Sequence, residues 1–83
     1  MKPKMTFYTK PNCKLCDDAK ALLETYQLMY SFDIEEHNIE EDDELLEKYF
    51  LTIPVIKYHD QEINAEELNP ETLDTFLKEN LSD

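Results

Sequence analysis

Along the chain, short β-prone runs alternate with stretches whose apolar residues recur at helical spacing. Lys4-Met5-Thr6-Phe7-Tyr8-Thr9 is short and apolar-leaning, and Pro11-Asn12 ends it, which predicts a first strand. From Lys14 the period lengthens. Leu15, Ala19, Leu22, Leu23 and Tyr26 fall at i, i+4, i+7, i+8 and i+11, one face of a helix running to about Leu28. Met29 to Ile34 then alternates, with Tyr30, Phe32 and Ile34 on one side, predicting a second strand that extends toward Ile39. Acidic residues crowd Glu40 to Glu44 ahead of Leu45, Leu46, Tyr49 and Phe50, which suits the first turn of a second helix and its dipole. Thr52 to Tyr58 reads as a third strand, His59-Asp60-Gln61 as a turn, and Glu62-Ile63-Asn64 as a short fourth strand. Asn69 and Pro70 suit the N-cap and first residue of a closing helix whose Leu73, Phe76, Leu77 and Leu81 share a face.

The predicted order is β-α-β-α-β-β-α, an α/β fold with a four-stranded mixed sheet flanked by helices. The first βαβ unit is expected to be parallel and right-handed, and the last two strands an antiparallel hairpin. No linker, repeat or low-complexity segment interrupts the chain, so one domain is expected over residues 1–83. At that length a domain folds close to the lower limit for a core without a staple.

Charge narrows the function. Twenty Asp and Glu against eight Lys, with no Arg, give a formal net charge of −12. Nucleic acid and anionic membrane surfaces both need a basic footprint and are excluded as expected partners. The start, MKPKMTFYTK, has no apolar core or small-residue cleavage site of a signal peptide. Nothing approaches the roughly 18 apolar residues of a spanning helix. A soluble, cytoplasmic monomer is the expectation. Glycine is absent, which removes any glycine-rich phosphate loop.

Cys13-Lys14-Leu15-Cys16 carries the candidate chemistry. In a reducing compartment a cysteine pair points to catalysis or metal binding rather than to a structural bridge. A disulfide here would also close too small a loop to restrict the unfolded chain much. Thiol exchange needs a thiolate that attacks, a second thiol that resolves, and access for a partner. If the first helix opens at the motif, Cys13 meets the free N–H groups and dipole of its N-terminus, which favour negative sulfur. Lys10 and Lys14 flank it and act in the same sense, while Asp17 and Asp18 are expected to follow the helix surface away. Cys16, one turn in and partly buried, then resolves. Two thiolates do not complete a tetrahedral metal site, so a metal or iron–sulfur module would need a second copy, His37 and His59, or an exogenous thiol. A redox-sensing interaction domain would use the same cysteines without turnover.

A second motif stands further along, Thr52-Ile53-Pro54-Val55-Ile56, with a proline at a strand start, where its missing N–H is tolerated. TKPNCKLC before an amphipathic helix, together with TIPVI, resembles the glutaredoxin branch of the thioredoxin superfamily across nearly the whole chain. The nearest resemblance is to the small bacterial glutaredoxin-like group with KPxCxLCDxAKxLL, an acidic second-helix region and IPV. The resemblance implies a thioredoxin-like fold, thiol–disulfide exchange through Cys13 and Cys16, and roles in electron transport and cell redox homeostasis. It implies that Pro54 is a cis-proline beside the cysteines, that Ile53 pairs by its backbone with an extended substrate, and that Lys10 holds a glutathione carboxylate. Asn12 and Lys14, within the same motif, join the expected substrate-binding residues.

Departures from the family pattern bear on the substrate. Lys14-Leu15 stands where glutaredoxins usually have Pro-Tyr. Their Gly-Gly-x-Asp segment, which receives the γ-glutamyl end of glutathione, is replaced by a run in which Asn64 and Ala65 take the corresponding place. Those side chains obstruct close backbone approach, and Glu66-Glu67 repel an anion. The expected substrate is therefore a protein disulfide or a glutathione mixed disulfide, with no bound cofactor. Glutathione, a thioredoxin reductase or a dedicated client enzyme are the expected redox partners. Eight acids between Glu35 and Glu47 lack the glycine turn of a calcium loop and read as a solvated helix start. Four of the eight lysines lie in the first fourteen residues, which suits a basic edge near Cys13 or the plain solvation of a terminus.

Overall fold

The parallel pairing of the first two strands sets the frame. In the computed structural model, which describes residues 2–81, β1 (Lys4–Thr9) pairs with β2 (Asp33–Asn38) from Lys4 opposite Asp33 to Thr9 opposite Asn38. Met1, Ser82 and Asp83, part of the expected 1–83 domain, lie outside the described residues. On its other edge β1 pairs antiparallel with β3 (Val55–Tyr58), which forms a hairpin with β4 (Gln61–Ile63). The sheet order is β2-β1-β3-β4. Three helices complete the predicted order: α1 (Lys14–Tyr26), α2 (Asp43–Tyr49), preceded by a 3-10 turn at Ile39–Glu41, and α3 (Pro70–Leu81).

Register explains how the two faces of the sheet divide. Phe7 lies opposite Ile56 and Tyr8 opposite Val55, so neighbouring pairs point to opposite faces. Met5, Phe7, Ile56 and Ile63 pack against Ala19 and Leu23 of α1 and Leu73, Phe76 and Leu77 of α3. On the opposite face Val55, Tyr8, Ile39 and Tyr49 form a smaller cluster that also receives Cys16 and Ile53. Helix α1 thus begins over the smaller cluster and runs down the larger one. Tyr26 and Tyr30 tie α1 to α3, donating their hydroxyls to Pro70 O at 3.0 Å and Asp74 Oδ1 at 3.2 Å.

The helices begin where side chains satisfy their first N–H groups. Asp42 Oδ1 accepts from Glu44 N and Leu45 N. Asn69 and Thr72 cap α3 reciprocally, Asn69 Oδ1 accepting from Thr72 N at 2.9 Å and Thr72 Oγ1 from Asn69 N at 3.0 Å. Among the described residues, no helix is long and apolar enough to cross a membrane.

Several boundaries differ from the sequence expectation. Helix α1 ends at Tyr26 rather than Leu28, in a series of tight turns (Leu28 N–H to Thr25 O, Met29 N–H to Tyr26 O), and Leu28 is almost fully exposed. The alternation of Tyr30, Phe32 and Ile34 is real: Phe32 is buried, and the other two pack beside it. Pairing nevertheless starts only at Asp33, whose N–H reaches Pro3 O at 2.8 Å, because β1 offers no earlier partner. The third strand is shorter than predicted for a similar reason. Thr52 and Ile53 turn their N–H groups back to Tyr49 O, and Pro54 has none to give.

This packing predicts a sharp contrast between two leucines. Leu23→Ala, at a fully buried position, should cost about 2–5 kcal/mol. Leu28→Ala should change stability by about 0.5 kcal/mol or less. Urea unfolding followed by circular dichroism measures both, and equal effects would contradict the placement of α1.

Candidate functional site

The site is built where β1 hands over to α1. Thr9 ends the strand with its side chain buried, and Pro11-Asn12 turn the chain. Asn12 adopts the left-handed conformation (φ 58°), which asparagine tolerates better than most residues. Cys13 follows in extended geometry as the N-cap of α1. Its Sγ accepts the N–H of Cys16 at 3.2 Å, and its carbonyl accepts the N–H of Asp17 at 3.0 Å. The sulfur therefore occupies the place an oxygen takes in a Ser or Asp cap, directly on an orphan donor of the helix.

The two thiols are unequal. Cys13 is half-buried, whereas Cys16 is 1% exposed. Burial pushes the Cys16 thiol above its ordinary range, and its hydrogen bond with Cys13 adds to that. A hydrogen bond with the Thr9 side chain and one with the Lys10 backbone act in the opposite sense. The cysteine spacing by itself gives Thr9 no role. Its signal was present, since it continues the Met5, Phe7 alternation into the buried side and stands just before the motif.

Ile53 packs in the same cluster as both cysteines, and Pro54, buried, follows it through a cis peptide bond. The Ile53 N–H donates to Tyr49 O at 3.0 Å, so backbone docking there would use the carbonyl or first release that N–H. Behind this cluster Tyr8 and Tyr49 stack with ring centroids 4.4 Å apart, and the Tyr49 hydroxyl donates to Glu62. Burial first, then that carboxylate, raise the Tyr49 phenol, which keeps it protonated.

Leu15 departs from expectation. Predicted on the buried face of α1, it is 63% exposed, and Cys16 takes the inward position instead. Leu15 opens onto a groove of about 230 Å³ floored by Leu22, Pro54, Ala65, Leu68 and Pro70, with Asp18 at its edge. A separate groove of about 200 Å³ brings Lys10 and Asn12 together with Asp17, Glu36 and Asn38. Lys14 is exposed at the first position of α1 and lines neither groove.

The charge around the motif also differs from the expected basic edge. At about 3.3 Å per residue, β1 carries Lys4 roughly 17 Å from Thr9, toward the far end of the sheet. Lys20 pairs with Glu36 at 3.0 Å. Asp17 and Asp18 are both exposed, Asp17 lining the groove with Lys10 and Asp18 the groove with Pro54. Lys10 and Lys14 remain as the cations next to Cys13 in the chain.

The 64–69 turn, where glutaredoxins carry glycines, is closed by bonds within it and one to Thr52. Ala65 N–H donates to Thr52 O, and Glu67 N–H and Leu68 N–H both donate to Asn64 O. Asn64 N–H donates to the Glu67 carboxylate. These donors are not free to receive an anionic carboxylate.

The histidines lie elsewhere. His37 contacts Glu35 at 3.5 Å and lies beside Tyr8, and His59 turns the β3–β4 hairpin with φ 55° against Tyr58. Among the described residues no cluster of three or more His, Cys, Asp or Glu side chains is placed to hold a metal ion.

The sequence pattern of the glutaredoxin-like domain (DUF836) matches residues 4–78, which takes in β1, the cysteine motif, Ile53-Pro54 and most of α3. The chain belongs to this glutaredoxin-like family. Its fold is thioredoxin-like. Protein Ne2328 of Nitrosomonas europaea, solved by NMR, is similar at 24% identity and a TM-score of 0.76, with 92% of each chain covered. The X-ray structure of XcR50 from X. campestris is similar at 26% identity and a TM-score of 0.67, covering 86% of this chain and 96% of that one. A malarial protein with 10% identity still reaches a TM-score of 0.65 over 95% of this chain, a likeness of fold alone.

The raised Cys16 thiol predicts a pH dependence of definite sign. The folded protein holds this proton more tightly than the unfolded chain. The contribution is therefore complete below the ordinary thiol value, 9.0, and is lost as pH rises through the folded value. Between about pH 7 and about pH 9.5, reduced wild-type protein should lose more unfolding free energy than Cys16→Ala. Alkaline titration of Tyr49 is common to both and cancels in the comparison. Equal losses would contradict the account of Cys16.

Proposed function

We propose that the protein is a thiol–disulfide oxidoreductase in which Cys13 attacks a substrate disulfide and Cys16 resolves the mixed disulfide. The observation that carries this reading is the inequality of the two thiols. Cys13 is partly exposed, and its sulfur sits on a helix N–H donor that stabilises negative charge. Cys16 is enclosed, and its raised thiol stays protonated until it is needed.

The exchange balances without a cofactor. Cys13 thiolate attacks one sulfur of the substrate disulfide, forms a Cys13–substrate disulfide and expels the other sulfur as thiolate. Cys16 then loses its proton to that thiolate or to water and attacks Cys13 Sγ. The second substrate thiolate leaves, and a Cys13–Cys16 disulfide remains. Two electrons have passed to the substrate, and an external thiol or a reductase returns them to the pair. On this reading Pro54 and the Ile53 carbonyl position the substrate chain. Lys10, Asn12 and Lys14 border the attacking sulfur, and the cytoplasm is the compartment that keeps the pair reduced.

Protein disulfides are favoured over glutathione adducts. The N–H groups of Asn64, Ala65, Glu67 and Leu68 are already paired within the protein, and the groove around Lys10 is lined as well by Asp17 and Glu36. An anionic tripeptide finds little net attraction on either side of the motif.

The role assignment predicts different failures for the two cysteines. Incubated with a disulfide-containing protein, Cys16→Ser should accumulate a mixed disulfide through Cys13, visible as a covalent adduct on non-reducing gels. Cys13→Ser should form none and reduce nothing above background. Equal trapping by both variants would overturn the assignment.

A further inference from the structure

We propose that the groove beside Pro54 receives an apolar side chain next to the disulfide of a protein substrate, in a segment that carries basic residues beyond it. This deepens the exchange reading and rests on it. Neither cysteine lines the groove, but two of its lining residues connect it to them. Leu15 lies between them in the chain, and Pro54 follows Ile53, which packs against them. Its lining is mostly apolar, from Leu15, Leu22, Pro54, Ala65, Leu68 and Pro70. At about 230 Å³ it is smaller than ordinary small-molecule pockets of ~300–1,000 Å³, a size that suits one or two side chains. Leu15, 63% exposed, carries the apolar lining out to the surface.

Charge identifies what flanks that side chain. Asp18 stands at the edge of the groove. Across Asn69, which borders both, a second groove of about 370 Å³ runs along α3 beside Glu67, Glu71 and Glu79. A chain leaving the Pro54 groove over Asn69 therefore enters a negative field on a molecule of net charge −12. Lysine or arginine beyond the apolar residue complements it. Acidic residues, or the carboxylates of glutathione, do not.

The test uses reduced wild-type protein and four symmetric disulfides at equal concentration. Three are end-blocked peptide dimers, Lys-Leu-Cys-Leu-Lys, Glu-Leu-Cys-Leu-Glu and Lys-Ser-Cys-Ser-Lys, whose symmetry makes chain direction irrelevant. The fourth is glutathione disulfide. Oxidation of the protein is followed by acid quench and intact mass, and each rate is divided by that of dithiothreitol with the same disulfide. The leucine–lysine dimer should be faster than the other three by about tenfold or more, as expected for filling an apolar pocket. Its lead over the leucine–glutamate dimer should shrink in high salt. Leu68→Ser should bring it down toward the serine–lysine dimer. Equal normalised rates, a lead for glutathione disulfide, or a lead untouched by Leu68→Ser overturns the proposal and leaves the exchange reading standing. Failure of all four to oxidise the protein overturns both.

Discussion

The hydrogen bond from Cys16 N–H to Cys13 Sγ is the constraint on which the site depends. It makes a sulfur the cap of α1, so that the start of the helix and the position of the reactive atom are fixed by one contact. The elements upstream serve it. Parallel pairing with β2 holds β1 in register, buried Thr9 closes the strand against Cys16, and Asn12 supplies the left-handed turn that points the chain into the helix. The larger core then anchors the rest of α1 through Ala19 and Leu23, and Tyr26 and Tyr30 lock it to α3. A small core suffices because helix start, turn and strand end are each satisfied locally.

The same placement separates the thiols. A residue at the N-cap is outside the helix and partly open, while one three positions on is carried inward, here against Ile53, Val55 and Tyr49. Sequence spacing alone produces this asymmetry once the helix begins at Lys14. It also explains why Leu15 is left outside. The inward direction at the first turn belongs to Cys16, and the residue before it faces the groove beside Pro54.

Most of the architecture was legible in the chain because its signals are local. The period change at Lys14, the Asn69-Pro70 start of α3 and the alternation of β1 each placed an element within a few residues of its observed position. Strand limits were less legible, since they depend on partners. Phe32 points inward as its alternation says, yet the ladder waits for Asp33 because β1 begins at Lys4. Around the cysteines the sequence suggested a basic edge, which the geometry disperses. Strand length carries Lys4 away, and Asp17 and Glu36 line the same groove as Lys10. The commitment of the 64–68 N–H groups could not be read from residue types, because it arises from a turn closed by Asn64, Glu67 and Thr52 together.

Everything proposed for this family member rests on Cys13 and Cys16 forming a reversible pair. The most direct test is the intact mass of the protein across a series of glutathione redox buffers, quenched in denaturing acid. It distinguishes dithiol, internal disulfide and glutathione adduct in one titration. The account predicts a reversible loss of two hydrogens with a midpoint near the cytosolic poise, about −220 to −260 mV, and little adduct. A pair that stays reduced throughout that range would contradict it.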